Sequence, residues 1–135
     1  MASVEPTAVI LCDDVRREDN GKQFAIGIYG SEVIVPNFPA ILRFAILVRI
    51  RFTSAGKQSI KFRIQSGNGG KQEIGAELET TMASKEWIGV PLQPMVFEAP
   101  TTLTILFESP PGKWKKLHSV PIKIGPLPIA SQPQP

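Results

Sequence analysis

Between residues 43 and 80, apolar and polar positions alternate with a period of two through three consecutive runs. In residues 43–52, Phe44, Ile46, Val48, Ile50 and Phe52 alternate with Arg43, Ala45, Leu47, Arg49 and Arg51. In residues 58–65, Ile60, Phe62 and Ile64 alternate with Lys61, Arg63 and Gln65. In residues 72–80, Ile74, Ala76 and Leu78 alternate with Glu73, Gly75, Glu77 and Glu79. This period predicts strands with one buried and one wet face. Turn-forming residues at 54–57 and 66–70 predict that the three runs form one antiparallel meander.

The same signals continue along the chain. Residues 7–15 begin apolar on both faces, as a strand covered on both sides would. Asn20-Gly21 predicts a two-residue hairpin turn, because both central positions of a type I′ turn need positive φ. The return strand, residues 22–29, places Phe24, Ile26 and Ile28 on one face. Gly30-Ser31 interrupts it before residues 32–35, which marks a bulge or a corner. Pro36 and Pro39 predict a constrained crossing between sheets, with Phe38 plugging the end of the core. Residues 86–90 and 93–97, broken by Pro91 and Pro94, predict edge strands or a crossing loop. Residues 101–108 are rich in β-branched and aromatic side chains and predict a strand. Residues 113–124 return from the turn at Pro110-Pro111-Gly112, and a slip in their apolar phase predicts a bulge near Leu117-His118.

No segment carries a helical period with caps. Eight or nine short strands predict an all-β antiparallel sandwich of Ig-like, fibronectin-like or C2-like kind. The 135 residues fit one domain, predicted over residues 1–125 with a proline-rich extended tail at 126–135. With 42% hydrophobic and 20% charged residues, the composition is that of a globular chain rather than a disordered one. A net charge of +3 without a clustered basic run gives no signature of nucleic-acid binding. The first six residues lack the basic and apolar regions of a secretory leader. No apolar run approaches the roughly twenty residues of a membrane-spanning helix. Cys12 is the single cysteine, so no intrachain disulfide can form, and a cytoplasmic location is expected.

The run Ile10-Leu11-Cys12-Asp13-Asp14-Val15, followed by Gly21-Lys22, Gly27-Ile28-Tyr29 and Phe38-Pro39, resembles a family of small uncharacterised bacterial proteins. The resemblance covers roughly the first third of the chain. It implies a bacterial all-β protein with no established activity, and it supplies no catalytic residues.

Four groups of residues are candidates for chemistry. Asp13, Asp14, Glu18 and Asp19 offer oxygen ligands for a cation, but their spacing fits no EF-hand loop and no second acidic loop accompanies them. Turn chemistry accounts for their positions. Arg49, Arg51, Lys61 and Arg63 would face one another across the meander, Arg51 opposite Lys61 and Arg49 opposite Arg63. Like charges so placed need a partner, either an anionic ligand or the carboxylates of Glu73, Glu77 and Glu79 on the third strand. Cys12 and His118 are the residues from which a nucleophile and base could be drawn, but no catalytic motif accompanies them. Trp87, Trp114 and Tyr29 are rings that could hold a glycan, with Trp87 in an irregular segment favoured. The expectation is a non-enzymatic structural or protein-interaction module, without cofactor, pairing with an unidentified protein or with itself through an edge strand. The alternative is a module that recognises a glycan or anionic group through Trp87 or the basic face.

Overall fold

The computed structural model describes residues 4–109 and 111–126. It is all-β, with no helix among the described residues. Eleven strands follow in order: β1 (Val4–Arg17), β2 (Gln23–Ile28), β3 (Val33–Val35), β4 (Ala40–Leu42), β5 (Ala45–Phe52), β6 (Gly56–Ser66), β7 (Lys71–Thr80), β8 (Ser84–Pro91), β9 (Met95–Phe97), β10 (Thr101–Glu108) and β11 (Trp114–Ile124). The count exceeds eight or nine because β3, β4 and β9 are three-residue strands, too short to show a period. A four-stranded sheet runs β2-β1-β5-β8, a five-stranded sheet β3-β11-β10-β6-β7, and β4 and β9 form a two-stranded ladder. The proline-rich tail expected at 126–135 lies outside the described residues beyond Pro126.

The alternation located most of the core, but Ala45 and Leu47, which it set on the wet side of β5, are buried as well, because β5 is the inner strand between β1 and β8. Ile46, Val48, Ile50 and Phe52 of β5 join Ile60, Phe62 and Ile64 of β6 in one buried cluster. Leu103, Ile105 and Phe107 of β10 and Val120 and Ile122 of β11 complete it. Each such side chain contributes about 1.5–3 kcal/mol by leaving water. The Phe62 and Phe107 rings lie 5.2 Å apart and join neighbouring strands β6 and β10 across this interior. Phe38 packs against the same cluster, as the crossing between its prolines required. The bulge is where the phase slip put it: His118 stands opposite Ile105 but Lys116 opposite Leu106, which leaves Leu117 as the extra residue.

Pairing of the meander differs from expectation. The β6–β7 hairpin forms, with Arg63 opposite Glu73. β5, however, is flanked by β1 on one side and β8 on the other, so it has no free edge for β6. The chain therefore crosses after Phe52 into the other sheet, where β6 lies between β7 and β10. Arg49 faces Trp87 and Ala8, not Arg63, and Arg51 faces Lys85 and Glu5, not Lys61. The break at Gly30-Ser31 is likewise a change of sheet: β3 leaves β2 behind and pairs parallel with β11.

The first hairpin is placed correctly but turns differently. Glu18 N–H donates to Lys22 O at 2.7 Å and Gly21 N–H to Glu18 O at 2.9 Å. Only Gly21 takes positive φ, +85°, and no non-glycine residue does. That is a three-residue connection with the glycine in the left-handed position, not a type I′ turn. The longer turn sets Phe24 opposite Arg16 and Ile26 opposite Asp14. A two-residue turn would have paired Asp19 with Lys22 and Ile26 with Val15, on the core side of β1. One residue of register flips a strand's faces. Phe24, Ile26 and Ile28 share a face, as their alternation predicts, and that face stands 44%, 44% and 62% exposed.

The four-stranded sheet is curled, so its two outer strands approach each other. Gln23 of β2 donates from Nε2 to the Trp87 carbonyl of β8 at 2.7 Å. At Gly89 an added Cβ would stand 2.9 Å from Val15 Cγ2, so the glycine is what lets the hairpin come so near.

Candidate functional site

Two features of the curled sheet stand out. The first is the apolar ridge of Phe24, Ile26 and Ile28 on β2, an outer strand hydrogen-bonded on one side only. Gly27 holds the ridge in place. It takes φ +69°, and its missing Cβ makes room for the Asp13 carboxylate, which accepts the Tyr29 hydroxyl hydrogen bond. Burial of the ring, then the Asp13 carboxylate beside it, pushes the Tyr29 phenol well above its ordinary range. The Tyr29 ring packs edge-on against Phe44, 5.5 Å between centroids, which anchors the end of β2 to the core.

The second is a cleft of about 920 Å³ between the β1–β2 hairpin and β8, closed at one end by the β7–β8 turn. Val15, Arg16, Gln23, Trp87, Ile88 and Met82 are among its walls. Trp87 is 39% exposed and Met82 67%, so both side chains are open to solvent. Trp87 lies in a regular edge strand rather than a loop, with the Arg49 guanidinium 5.9 Å from its ring centroid.

The remaining candidates are dispersed. Asp14 accepts from Arg16 Nε at 2.7 Å, and this hydrogen bond holds its carboxyl below the usual carboxylate range. Glu18 and Asp19 belong to the hairpin turn. Among the described residues no group of three or more His, Cys, Asp or Glu side chains is placed to hold a metal ion. Arg51 pairs with Glu5 on the four-stranded sheet. On the five-stranded sheet Arg63 meets Glu73 at 2.7 Å and Lys61 meets it at 3.5 Å. The Arg63 hydrogen bond, with Lys61 beside it, holds the Glu73 carboxyl below its ordinary value. Arg63 also lies 4.1 Å from the Trp114 ring centroid, and an uncharged ring thus takes one face of the guanidinium. Glu77 stands opposite Ser59 and Glu79 opposite Lys57, so the lattice expected of three glutamates centres on Glu73. Cys12 is buried and directs its thiol at the carbonyls of Asp14 and Ala45, 3.4 and 3.5 Å away; burial pushes that thiol up. His118 sits on β11 beside the bulge.

The ridge was not legible as a site because its residues have core composition. The register of the turn was the one signal, and it hinged on a single residue. The cleft had no sequence signal, since it arises from the curl of a whole sheet.

A family model for a family of unknown function, DUF6941, matches residues 7–110, most of the chain. The chain belongs to this family. The matched span takes in both the ridge and the cleft, while β11 lies beyond it. The resemblance drawn from residues 10–39 to an uncharacterised family therefore holds, and the membership assigns no activity. No curated protein and no solved structure matches the chain. No helix among the described residues is long and apolar enough to cross a membrane.

Proposed function

We propose that this member of DUF6941 is a non-enzymatic interaction module, a β-sandwich, antiparallel except at β3, that associates with a second copy of itself through β2, in a bacterial cytoplasm. The exposed ridge of Phe24, Ile26 and Ile28 carries this reading. Outer strands are ordinarily guarded against pairing by charge, proline or shortness. β7 carries Lys71, Glu73, Glu77 and Glu79; the outward Trp87 carbonyl of β8 is taken by the Gln23 amide; β3 has three residues. β2, six residues of Gln-Phe-Ala-Ile-Gly-Ile, has neither charge nor proline. Gly27 kinks it near the end and leaves residues 23–26 to pair. Two copies meeting antiparallel at this edge would lay one apolar ridge beside the other, the self-complementary contact that a two-fold axis demands. So short a strand buries little area, so the pair is weak and forms at high concentration.

Light scattering from micromolar to millimolar protein tests this. The mass of the wild-type chain should rise towards the dimer, and Ile26→Lys should hold it at the monomer. A wild-type mass that stays monomeric throughout would end the proposal. A second reading, a glycan held on Trp87, is favoured by that ring's exposure beside a cleft. Its anionic form loses support, because Arg49 and Arg63 lie on different sheets. Retention on immobilised glycans, lost in Trp87→Ala, would establish the second reading.

A further inference from the structure

The cleft has a backbone character that the proposed β2 contact does not use. In an antiparallel ladder, residues alternate between those that bond their neighbour and those whose N–H and C=O point away. Leu92 N–H donates to Phe44 O at 3.0 Å, so this opposed pair is directly bonded. The register continues without a shift through Ala45 opposite Pro91 to Phe52 opposite Ser84. By alternation, Ser84, Glu86, Ile88 and Val90 bond β5, and Lys85, Trp87, Gly89 and Pro91 present their backbone groups to the outer edge. Two independent facts agree. Pro91, which has no N–H to offer, falls in the outward set, where proline is tolerated. The carbonyl that accepts from Gln23 is that of Trp87, also outward.

The Gln23 contact identifies what fits this edge. A glutamine amide has the donor and acceptor of a peptide group. Its Nε2 bonds the Trp87 carbonyl, and its Oε1 lies 2.8 Å from where a Cβ of Gly89 would stand. One peptide-like group from β2 thus takes the Trp87 carbonyl, a bond that the backbone of a fifth strand in this sheet would make, and no strand of the described residues pairs with this edge. The device recurs on the other sheet. Gln72 of β7 donates to the Gln93 carbonyl at 3.1 Å and accepts from the Gln93 N–H at 3.0 Å, reproducing both bonds of a strand pair. There the amide closes a gap between chain segments; at β8 it sits in the mouth of an open cleft of about 920 Å³.

We propose that this cleft takes an extended, proline-poor segment of a partner protein, which displaces the Gln23 amide and pairs with the outward backbone of Lys85, Trp87 and Gly89. This is strand addition to a sheet edge, in which main-chain bonds supply affinity and alternate side chains supply selectivity. Trp87 and Met82, both exposed in the walls, would take an apolar side chain of the segment.

The probe is a library of free eight-residue synthetic peptides, screened by fluorescence polarisation against the whole chain. Extended, proline-poor peptides should be selected. Gln23→Ala, which removes the competing amide, should tighten them about threefold to tenfold. Lys85→Pro removes one outward N–H without touching the β5 ladder and should weaken them at least about tenfold. N-methylation of alternate residues of the selected peptide should abolish binding in one phase and spare it in the other, which requires no protein variant. The proposal is overturned if no peptide binds either wild type or Gln23→Ala, or if both N-methylated phases bind alike. Binding lost in Ile26→Lys and kept in Lys85→Pro also overturns it, by placing the peptide on the ridge. The light-scattering result on the ridge stands or falls separately.

Discussion

Replacing Gly27 by alanine perturbs the one residue that sets β2 and its ridge against β1. A Cβ there would stand 2.2 Å from Asp13 Oδ2, 2.8 Å from its Cγ and 3.1 Å from its Cβ. Oδ2 can move aside only if the whole carboxylate turns, and that turn takes Oδ1 away from the Tyr29 hydroxyl that donates to it. A lost hydrogen bond to a carboxylate, partly compensated by water at this exposed site, costs about 1–2 kcal/mol. Holding alanine at φ +69° adds about 1–2 kcal/mol. The sum, about 2–4 kcal/mol, corresponds to a fall in Tm of roughly 6–16 °C for a domain of this size. Urea denaturation of Gly27→Ala, Asp13→Ala and the double variant separates the parts. In the Asp13→Ala background the glycine replacement should cost only the backbone component, a coupling of about 1–2 kcal/mol between the sites. Equal costs in both backgrounds, within about 0.5 kcal/mol, would refute the contact and leave only the left-handed backbone.

Two pH effects follow from the shifted groups. Glu73 ionises below its ordinary 4.5, so the stability it supplies is present above that pH and drains away as pH falls through the depressed value. Wild type and Glu73→Gln should therefore differ slightly in thermal midpoint at pH 7 and converge at pH 2; a constant gap would deny the Arg63 and Lys61 pairing. Tyr29 keeps its proton above its ordinary 10.0, so its contribution is present below pH 10 and is lost as pH rises beyond it. Tyr29→Phe should cost about 1–2 kcal/mol at pH 7 and show a shallower alkaline decline than wild type in urea titrations. Parallel declines would mean the phenol does not titrate differently in the fold.

Much of the fold was legible because period-two alternation reports burial directly. Phe44 to Phe52 and Ile60 to Ile64 point where their pattern required, and the phase slip before Val120 located the Leu117 bulge. What alternation does not report is which strands are neighbours. Ser54 to Lys57 reads as a hairpin turn, yet β1 and β8 occupy both sides of β5 and send the chain to the other sheet. That pairing comes from contacts distant in sequence, and it separated the four basic residues that seemed, by proximity, to form one face. The exposure of the ridge was hidden for a narrower reason. Asn20-Gly21 is compatible with two turn lengths, and the structure adopts the one that exposes Phe24, Ile26 and Ile28. The ion pairs of Arg63 and Lys61 with Glu73 followed from a hairpin whose register was set by its own glycine-rich turn.

Hydrogen exchange measured at low and at millimolar protein concentration bears most directly on the claim that β2 is the contact surface. Protection should rise with concentration in residues 23–26 and stay constant in the charged outer strands β7 and β8. Exchange in β2 that is independent of concentration, or protection that grows at β7 or β8 instead, would contradict it.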